Sequence, residues 1–134
     1  MSEVLTKALV VKDRKILLLK RSENSSFGGG LWDIPGGKLE FGERPEESLK
    51  REINEETSLN IKIQEILDIN SGINYEKNKQ YITIVYLTKY ENGRVILNKE
   101  NTDFLWVDIN NIDEYEKIYY VDDSIRKYIR KGYL

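Results

Sequence analysis

The sequence contains neither cysteine nor histidine. Without these side chains, catalysis by Ser-His-Asp or Cys-His groups is excluded. Structural zinc sites, disulfides, iron–sulfur clusters and haem ligation by histidine or thiolate are excluded as well. The groups left for chemistry are carboxylates, Lys, Arg, Ser, Thr and Tyr. Because carboxylate and carbonyl oxygens suit hard cations, a metal site in this chain would favour Mg²⁺ or Mn²⁺.

The chain also lacks an excess of positive charge and long apolar runs. Its 134 residues include 21 Lys and Arg against 23 Asp and Glu, a formal net charge of −2. Proteins that bind long nucleic acids are normally basic, so we expect no such partner. No apolar run approaches the roughly 18 residues of a membrane span, and the N-terminus has no secretion signal. We therefore expect one domain over residues 1–134, cytoplasmic and without a membrane partner.

Short apolar runs predict the strands. Residues 8–11 and 16–19 are continuous apolar runs on either side of a polar turn, a pattern typical of strands covered on both faces. Asn92-Gly93 is typical of a hairpin turn and predicts a further strand over residues 95–97. The other predicted strands cover residues 61–69, 80–90 and 106–107.

Helices are predicted in three places. The clearest covers residues 44–58, because Pro45 suits the first helical position and Glu46 and Glu47 suit the positive end of the helix dipole. A short helix is expected over residues 111–118. A C-terminal helix has an apolar face formed by Val121, Ile125, Tyr128 and Ile129. Strands alternating with helices in this order predict an α/β (α+β) fold in which helices pack on a mixed sheet.

Three glutamates of the central helix share one side. At about 100° per residue, Glu55 and Glu56 lie within about 60° of Glu52, next to the apolar stripe that contains Leu49 and Ile53. Like charges at this spacing destabilise a helix, and a bound divalent cation would reverse that effect. A solvated acidic helix face is the simpler interpretation, and the spacing alone leaves both open.

Residues 37–59 contain Gly37, Glu43 and Arg51 at fixed distances from the three glutamates. This segment resembles the Nudix box of the Nudix hydrolase family, whose pattern is G-x5-E-x7-R-E-U-x-E-E-x-G-U with U a bulky aliphatic residue. One position departs from the pattern, because Ser58 stands where the family has glycine. Residues 32–36, Trp-Asp-Ile-Pro-Gly, also look like the segment that precedes the box in MutT-type members. The matching positions are Gly37, Glu43, Arg51, Glu52, Ile53, Glu55, Glu56 and Leu59.

The resemblance implies an α/β/α sandwich with helices on both faces of the sheet and metal-dependent hydrolysis of a nucleoside diphosphate linked to a group X. It implies Mg²⁺ or Mn²⁺ as cofactor, Arg51 as the residue that orients the glutamates, and Glu43 as a brace between loop and helix. Glu52 is the first choice for the general base and Glu100 the alternative, with Asp103 as the runner-up for the late acid of the family. The implied metal ligands are Gly37, Glu52, Glu55, Glu56 and Glu100.

Residues outside the box are candidates for binding the substrate. Arg21, beside Lys20, could contact phosphate, although surface charge is an equally good interpretation. Phe27 and Trp32 could stack on a base, although a core position suits Trp32 better. The resemblance to MutT-type members favours a nucleoside triphosphate, including an oxidised one, as the small-molecule substrate.

Other activities remain open at this point. A dinucleoside polyphosphate, a nucleotide sugar or ADP-ribose could be the substrate, and the chain could instead be a nucleotide-sensing module without activity. A homodimer is also possible.

Overall fold

The computed structural model describes residues 2–25 and 28–133. Its regular elements are seven strands, two α-helices and one 3₁₀ helix in those residues. The strands are β1 (Ser2–Lys12), β2 (Lys15–Arg21), β3 (Trp32–Asp33), β4 (Gly36–Lys38), β5 (Asn60–Asn74), β6 (Lys79–Asn92) and β7 (Asn101–Asp108). The helices are α1 (Pro45–Thr57), the 3₁₀ helix Ile109–Glu114 and α2 (Tyr119–Arg130).

The strands form one mixed sheet, as predicted. β1 lies near its centre and pairs in parallel with β6 and antiparallel with β2 and β4. β5 pairs antiparallel with β6, while β3 and β7 both pair with β2. The turn between β1 and β2 has positive φ angles at Asp13 and Arg14, which suits a tight two-residue hairpin. Both predicted apolar runs lie inside β1 and β2.

The sheet is covered on both faces, so the predicted sandwich is confirmed. Side chains alternate along β1, with Leu9 in the core beneath α2 and Ala8 and Val10 in the core beneath α1. Leu49 and Ile53 of α1 are fully buried against this second core. No helix within residues 2–25 and 28–133 is long and apolar enough to cross a membrane.

The predicted strand over residues 95–97 is wrong. Gly93 has a φ of 105°, and residues 93–98 carry no strand hydrogen bonding. The backbone N–H of Ile96 instead donates to the carbonyl of Thr57 at the end of α1, at 3.0 Å. Val95 and Leu97 pack against the core beneath α1. The apolar pattern thus arises because this segment covers the end of a helix.

The predicted short helix over residues 111–118 is displaced toward the N-terminus. A 3₁₀ helix begins at Ile109, because the Asp108 carboxylate accepts a hydrogen bond from the Asn110 N–H at 2.9 Å. Glu116 and Ile118 pair through their backbones with Trp32 instead of continuing a helix. The last strand, predicted as residues 106–107, extends over all of β7 because it pairs with β2 along its length.

Ser58 ends α1 in the left-handed conformation, with φ 63° and ψ 14°. Its N–H donates to the carbonyl of Asn54 at 2.9 Å and closes the last helical turn. This is the conformation for which glycine is favoured at a helix end, and a side chain makes it costlier. The departure from the Nudix pattern therefore leaves the helix end in place at some cost in stability.

We expect Ser58→Gly to stabilise the protein by about 1 kcal/mol, because glycine adopts positive φ without the Cβ clash. Urea unfolding monitored by circular dichroism would measure the change. Ser58→Ala is the matched control and should give no such gain, since alanine keeps the Cβ. Equal stability of the glycine and alanine variants would contradict the interpretation.

Candidate active site

The site lies where β4 meets α1, and two glycines make that contact possible. Gly36 has a φ of 138°, and a Cβ there would lie 2.0 Å from the carbonyl oxygen of Thr6 on β1. A Cβ on Gly37 would lie 2.5 Å from the Glu52 carboxyl carbon and from its Oε2. Only glycine fits at position 36, while a side chain at position 37 would displace the Glu52 carboxylate. The carboxylate of Glu52 thus lies directly against the backbone of β4.

Glu56 is the most deeply buried glutamate of the site, with 4% of the residue exposed. Its Oε1 accepts from the Gly36 N–H at 3.3 Å, and its Oε2 accepts from the Asn101 side-chain amide at 3.2 Å. Burial is the main reason that the pKa of Glu56 rises to about 7, while the nearby positive charge of Lys7 opposes the rise. The protein therefore holds a carboxyl group that is costly to ionise without an additional cation.

Glu52 and Glu100 lie at the same end of the site. Burial raises the pKa of Glu52, and Arg51 opposes that shift. The charge of Glu100 also raises the pKa of both Glu52 and Glu56, which places its carboxylate near theirs. Asp103, the runner-up, is exposed and lies beside Lys20 in the pairing of β7 with β2. Glu100 thus lines the cavity with Glu52, whereas Asp103 does not, and the assignment of Glu100 as the late acid stays a prediction.

Arg51 connects the loop before α1 to the glutamates. Its Nε and Nη2 donate to the two oxygens of Glu43 at 2.6 and 2.9 Å, a fork-shaped pair that only arginine makes. Its Nη1 contacts Glu52 at 3.1 Å and Glu55 at 3.2 Å. Glu55 therefore points toward Arg51, with 55% of its side chain exposed. The implied roles of Arg51 and Glu43 agree with these contacts.

A cavity of about 430 Å³ opens beside these residues, on the face of the sheet that α2 covers. Its acidic end contains Glu52 and Glu100, with Glu40 near them. Its other end is basic and aromatic. The lining residues that distinguish this second end are Asn74, Lys77, Lys79, Tyr81 and Tyr119.

A buried ion pair supports the floor of the cavity. Lys7 Nζ lies 3.0 Å from Asp33 Oδ2 and also donates to the carbonyls of Ile34 and Gly36. The other oxygen of Asp33 accepts from the Tyr120 hydroxyl of α2 at 2.7 Å. Burial raises the pKa of Tyr120 well above its ordinary value, so this hydroxyl remains a donor. One carboxylate thus connects β1, β3 and α2 beneath the glycine turn.

The comparison with known proteins shows the family of this chain. A family model described as NUDIX domain matches residues 4–130, nearly the whole chain. The chain belongs to the Nudix family. Its relatives include the nucleoside triphosphatase NudI of Escherichia coli, 32% identical over 136 residues and aligned over 94% of both proteins. Another relative is the ADP-ribose pyrophosphatase of Methanocaldococcus jannaschii, 34% identical over 114 residues. That alignment covers 82% of this chain but 66% of the relative, slightly less than two thirds.

Solved structures show the same Nudix fold. The crystal structure of the MutT protein from Methanosarcina mazei Go1 superposes with a TM-score of 0.87 at 30% identity, covering 98% of this chain and 95% of that one. The MutT Nudix hydrolase from Burkholderia pseudomallei gives a TM-score of 0.84 at 23% identity over 95% of this chain and 98% of that one, a likeness of fold. The chain is accordingly an enzyme, a Nudix hydrolase.

Of the predicted substrate-binding residues that the structure describes, one lines the cavity and one does not. Arg21 lines the cavity, and its Nη1 lies 3.3 Å from Asp33. Trp32 packs edge-on against Tyr115 at the border of the core beneath α2 and does not line the cavity, so the core interpretation holds for it. Phe27 lies outside the described residues. The solvated-face interpretation fails for Glu56, which is buried.

The acids of this candidate site offer carboxylate oxygens, which are the ligands that hard divalent cations prefer. Glu56 is buried with uncharged donors only at its two oxygens, and Glu52 is partly buried against the Gly37 backbone. Within residues 2–25 and 28–133, however, no three acids are arranged closely enough to form a complete metal cluster. Arg51 holds Glu52 and Glu55, which explains why these two carboxylates do not converge with Glu56.

Several contributors to the Nudix site were not predicted. Asn101 holds the buried Glu56, and Lys7 and Asp33 support the glycine turn. Lys7 interrupts an otherwise apolar stretch of β1, and that interruption is the one signal in the sequence that could have indicated a buried charge. Tyr119 and Tyr81 come together only through the packing of α2 on the sheet, which no local pattern indicates.

The Arg51 fork has a measurable consequence. The hydrogen bond from Arg51, followed by the backbone N–H of Glu40, lowers the pKa of Glu43 from 4.5 to about 2. Because the folded pKa is depressed, the stabilisation is complete above about pH 4.5 and is lost as the pH falls through about 2. We expect the Glu43 carboxyl carbon, followed by NMR, to titrate near pH 2 in the folded protein.

The Arg51→Lys variant should move this midpoint toward the ordinary value, because lysine cannot form the fork. Lys50→Gln removes a neighbouring exposed charge on α1 and should leave the midpoint in place. A Glu43 midpoint near 4.5 in the parent protein would show that the fork does not form in solution.

Proposed function

We propose that this Nudix hydrolase cleaves a pyrophosphate bond in a nucleoside diphosphate linked to a group X, with a nucleoside triphosphate, including an oxidised one, as the preferred substrate. Mg²⁺ is the proposed cofactor and Mn²⁺ the alternative. The observation that carries the proposal is the buried carboxyl of Glu56, which accepts a hydrogen bond from Gly36. Gly36 lines, with Glu52 and Glu100, a cavity large enough for a nucleotide. The alignment with the nucleoside triphosphatase NudI, which covers 94% of both proteins, supports a nucleoside triphosphate as the substrate.

The proposed cation ligands are Glu52, Glu55, Glu56 and Glu100 with the Gly37 carbonyl. When bound, the cation neutralises phosphate charge and lowers the pKa of a water molecule. Arg51 contacts the carboxylates of Glu52 and Glu55, and its fork with Glu43 fixes the guanidinium. For Glu52 and Glu55 to bind the cation together with Glu56, their carboxylates must turn from Arg51 toward it, a side-chain motion on the nanosecond scale for the exposed Glu55.

The proton of the attacking water needs an acceptor, and Glu52 is our first choice. Its carboxylate lines the cavity, and its raised pKa brings it closer to the operating pH, as general-base catalysis requires. Glu100 lines the same cavity and is the alternative acceptor. The water oxygen bonds to one phosphorus, the bridging P–O bond breaks, and the leaving phosphate group departs with that electron pair. Arg21 is proposed to contact the phosphates.

A second substrate class has specific support. The relative from Methanocaldococcus jannaschii is named an ADP-ribose pyrophosphatase, so ADP-ribose remains an alternative substrate for this chain. A panel of nucleoside triphosphates, ADP-ribose, nucleotide sugars and dinucleoside polyphosphates, assayed with Mg²⁺ and with excess EDTA, would distinguish these substrates. Turnover of none of them, with nucleotide binding retained, would indicate a sensing module instead.

Other expectations stay predictions. These are the single domain over residues 1–134, the cytoplasmic location, the homodimer and the preference for a small nucleotide over long nucleic acid.

We expect Glu56→Gln and Glu55→Gln each to lower turnover at least ~100-fold, because each removes a charge that the cation requires. The Glu56→Gln protein should remain folded, since the amide has the same size and the variant removes a buried charge. Initial rates at saturating substrate and Mg²⁺, together with thermal unfolding, would measure both effects.

Glu47→Gln is the matched control, because Glu47 is an exposed acid on the same helix. Its turnover should equal that of the parent protein. Near-normal rates for both Glu56→Gln and Glu55→Gln would remove these residues from the cation site.

A further inference from the structure

Gly72 occupies a position in β5 where its lack of a side chain makes room for one particular residue. A Cβ on Gly72 would lie 2.0 Å from the Tyr119 hydroxyl oxygen and 2.7 Å from the ring carbon that carries it. The φ of Gly72 is not in the left-handed range, so the backbone conformation alone does not require glycine. A glycine inside a strand is otherwise unfavourable and often marks a close approach. Here the close approach is that of Tyr119.

Tyr119 lies over the strand with one side open to the cavity. It begins α2, lines the cavity, and has 38% of its surface exposed. Its neighbour Tyr120 is fully buried, contacts the Tyr119 ring edge-on at 5.3 Å, and is hydrogen-bonded to Asp33. Tyr119 therefore packs against the anchored ring of Tyr120 and against β5 at Gly72. An exposed aromatic ring held in this way loses little side-chain freedom when a ligand binds.

The surroundings of the Tyr119 ring suit an aromatic ligand with polar edges. Tyr81 is the cross-strand neighbour of Gly72 in the pairing of β5 with β6, so it lies on the same face and lines the same cavity. Asn74 and Lys79 form the next pair on the same face of these strands and also line the cavity. The Lys79 ammonium donates to Glu3 at 2.8 Å. Aromatic side chains with amide and ammonium groups at their edge are typical of nucleobase recognition.

We propose that Tyr119, seated on Gly72, is the residue that stacks on the base of the substrate and makes this enzyme selective for substrates that carry a base. The acidic end of the cavity then receives the phosphates, and the end with Tyr119 receives the base. This inference rests on the proposed function, because it assigns the part of the substrate that the acids do not contact.

The test compares ligands with and without a base. Kinetics would be measured on a nucleoside triphosphate that the parent protein hydrolyses. Calorimetry would measure the binding of its α,β-methylene analogue and of inorganic triphosphate, which has no base. All measurements contain Mg²⁺. We expect Tyr119→Leu to raise KM and the analogue's Kd about tenfold or more, as expected for loss of base stacking, with kcat changed less than about threefold. Binding of inorganic triphosphate should not change.

Two more variants test whether the ring of Tyr119 and its contact with Gly72 are needed. Tyr119→Phe keeps the ring and should restore KM to near the parent value. Gly72→Ala should raise KM as Tyr119→Leu does, because the added methyl group displaces the ring. If Gly72→Ala does not fold, the two Tyr119 variants decide the question alone. Tyr133→Leu is the matched control, since Tyr133 is similarly exposed at 43% but follows the other end of α2 and does not line the cavity.

The outcomes separate this inference from the proposed function. A parent protein that neither hydrolyses nor binds any nucleotide would overturn the proposed function, and this inference with it. A parent protein that hydrolyses nucleotides while Tyr119→Leu keeps the parent KM would overturn only the role of Tyr119. The role of Tyr119 would also be overturned if Tyr119→Leu weakened the binding of inorganic triphosphate as much as the binding of the nucleotide analogue. The ring would then have a structural role.

Discussion

The burial of the Glu56 carboxyl group is the constraint on which the rest of the site depends. A carboxylate removed from water is costly unless a charge compensates it, and the two groups bonded to Glu56 are an amide side chain and a backbone N–H. Burial accordingly raises its pKa to about 7. A fold retains such a group at a cost to its own stability, and a divalent cation bound during the reaction would offset that cost.

The fold creates this burial through the contact between β4 and α1. Leu49 and Ile53 place the apolar side of α1 against the sheet, which turns the adjacent glutamates toward the glycines of β4. The Arg51–Glu43 fork keeps the loop before the helix in position. On the opposite face, Asp33 connects α2 to the same turn, so both layers of the sandwich meet at the site. Packing, rather than any single bond, thus determines where the acids lie.

Patterns along the sequence predict the features that depend on residues close together in the chain. The helix α1 follows from such a pattern, and the structure confirms it. The box acids lie on that helix, but Arg51 contacts Glu52 and Glu55 while Glu56 is buried apart from them. The apolar pattern of residues 95–97 predicts a strand wrongly, because burial against a helix end produces the same pattern as a strand. Lys7 and the pair of Gly72 with Tyr119 depend on contacts between distant elements, which periodicity in a sequence does not contain.

The most direct test of the account is the binding of Mn²⁺ to the protein without nucleotide, followed by the paramagnetic loss of backbone amide signals. Trace Mn²⁺ should first remove the signals of Gly36 and Gly37 and those around Glu52 and Glu56. The signals at the far end of α2 should persist, because paramagnetic broadening falls steeply with distance. Loss of signals centred elsewhere, or uniform loss over the whole protein, would contradict a cation site at the contact between β4 and α1.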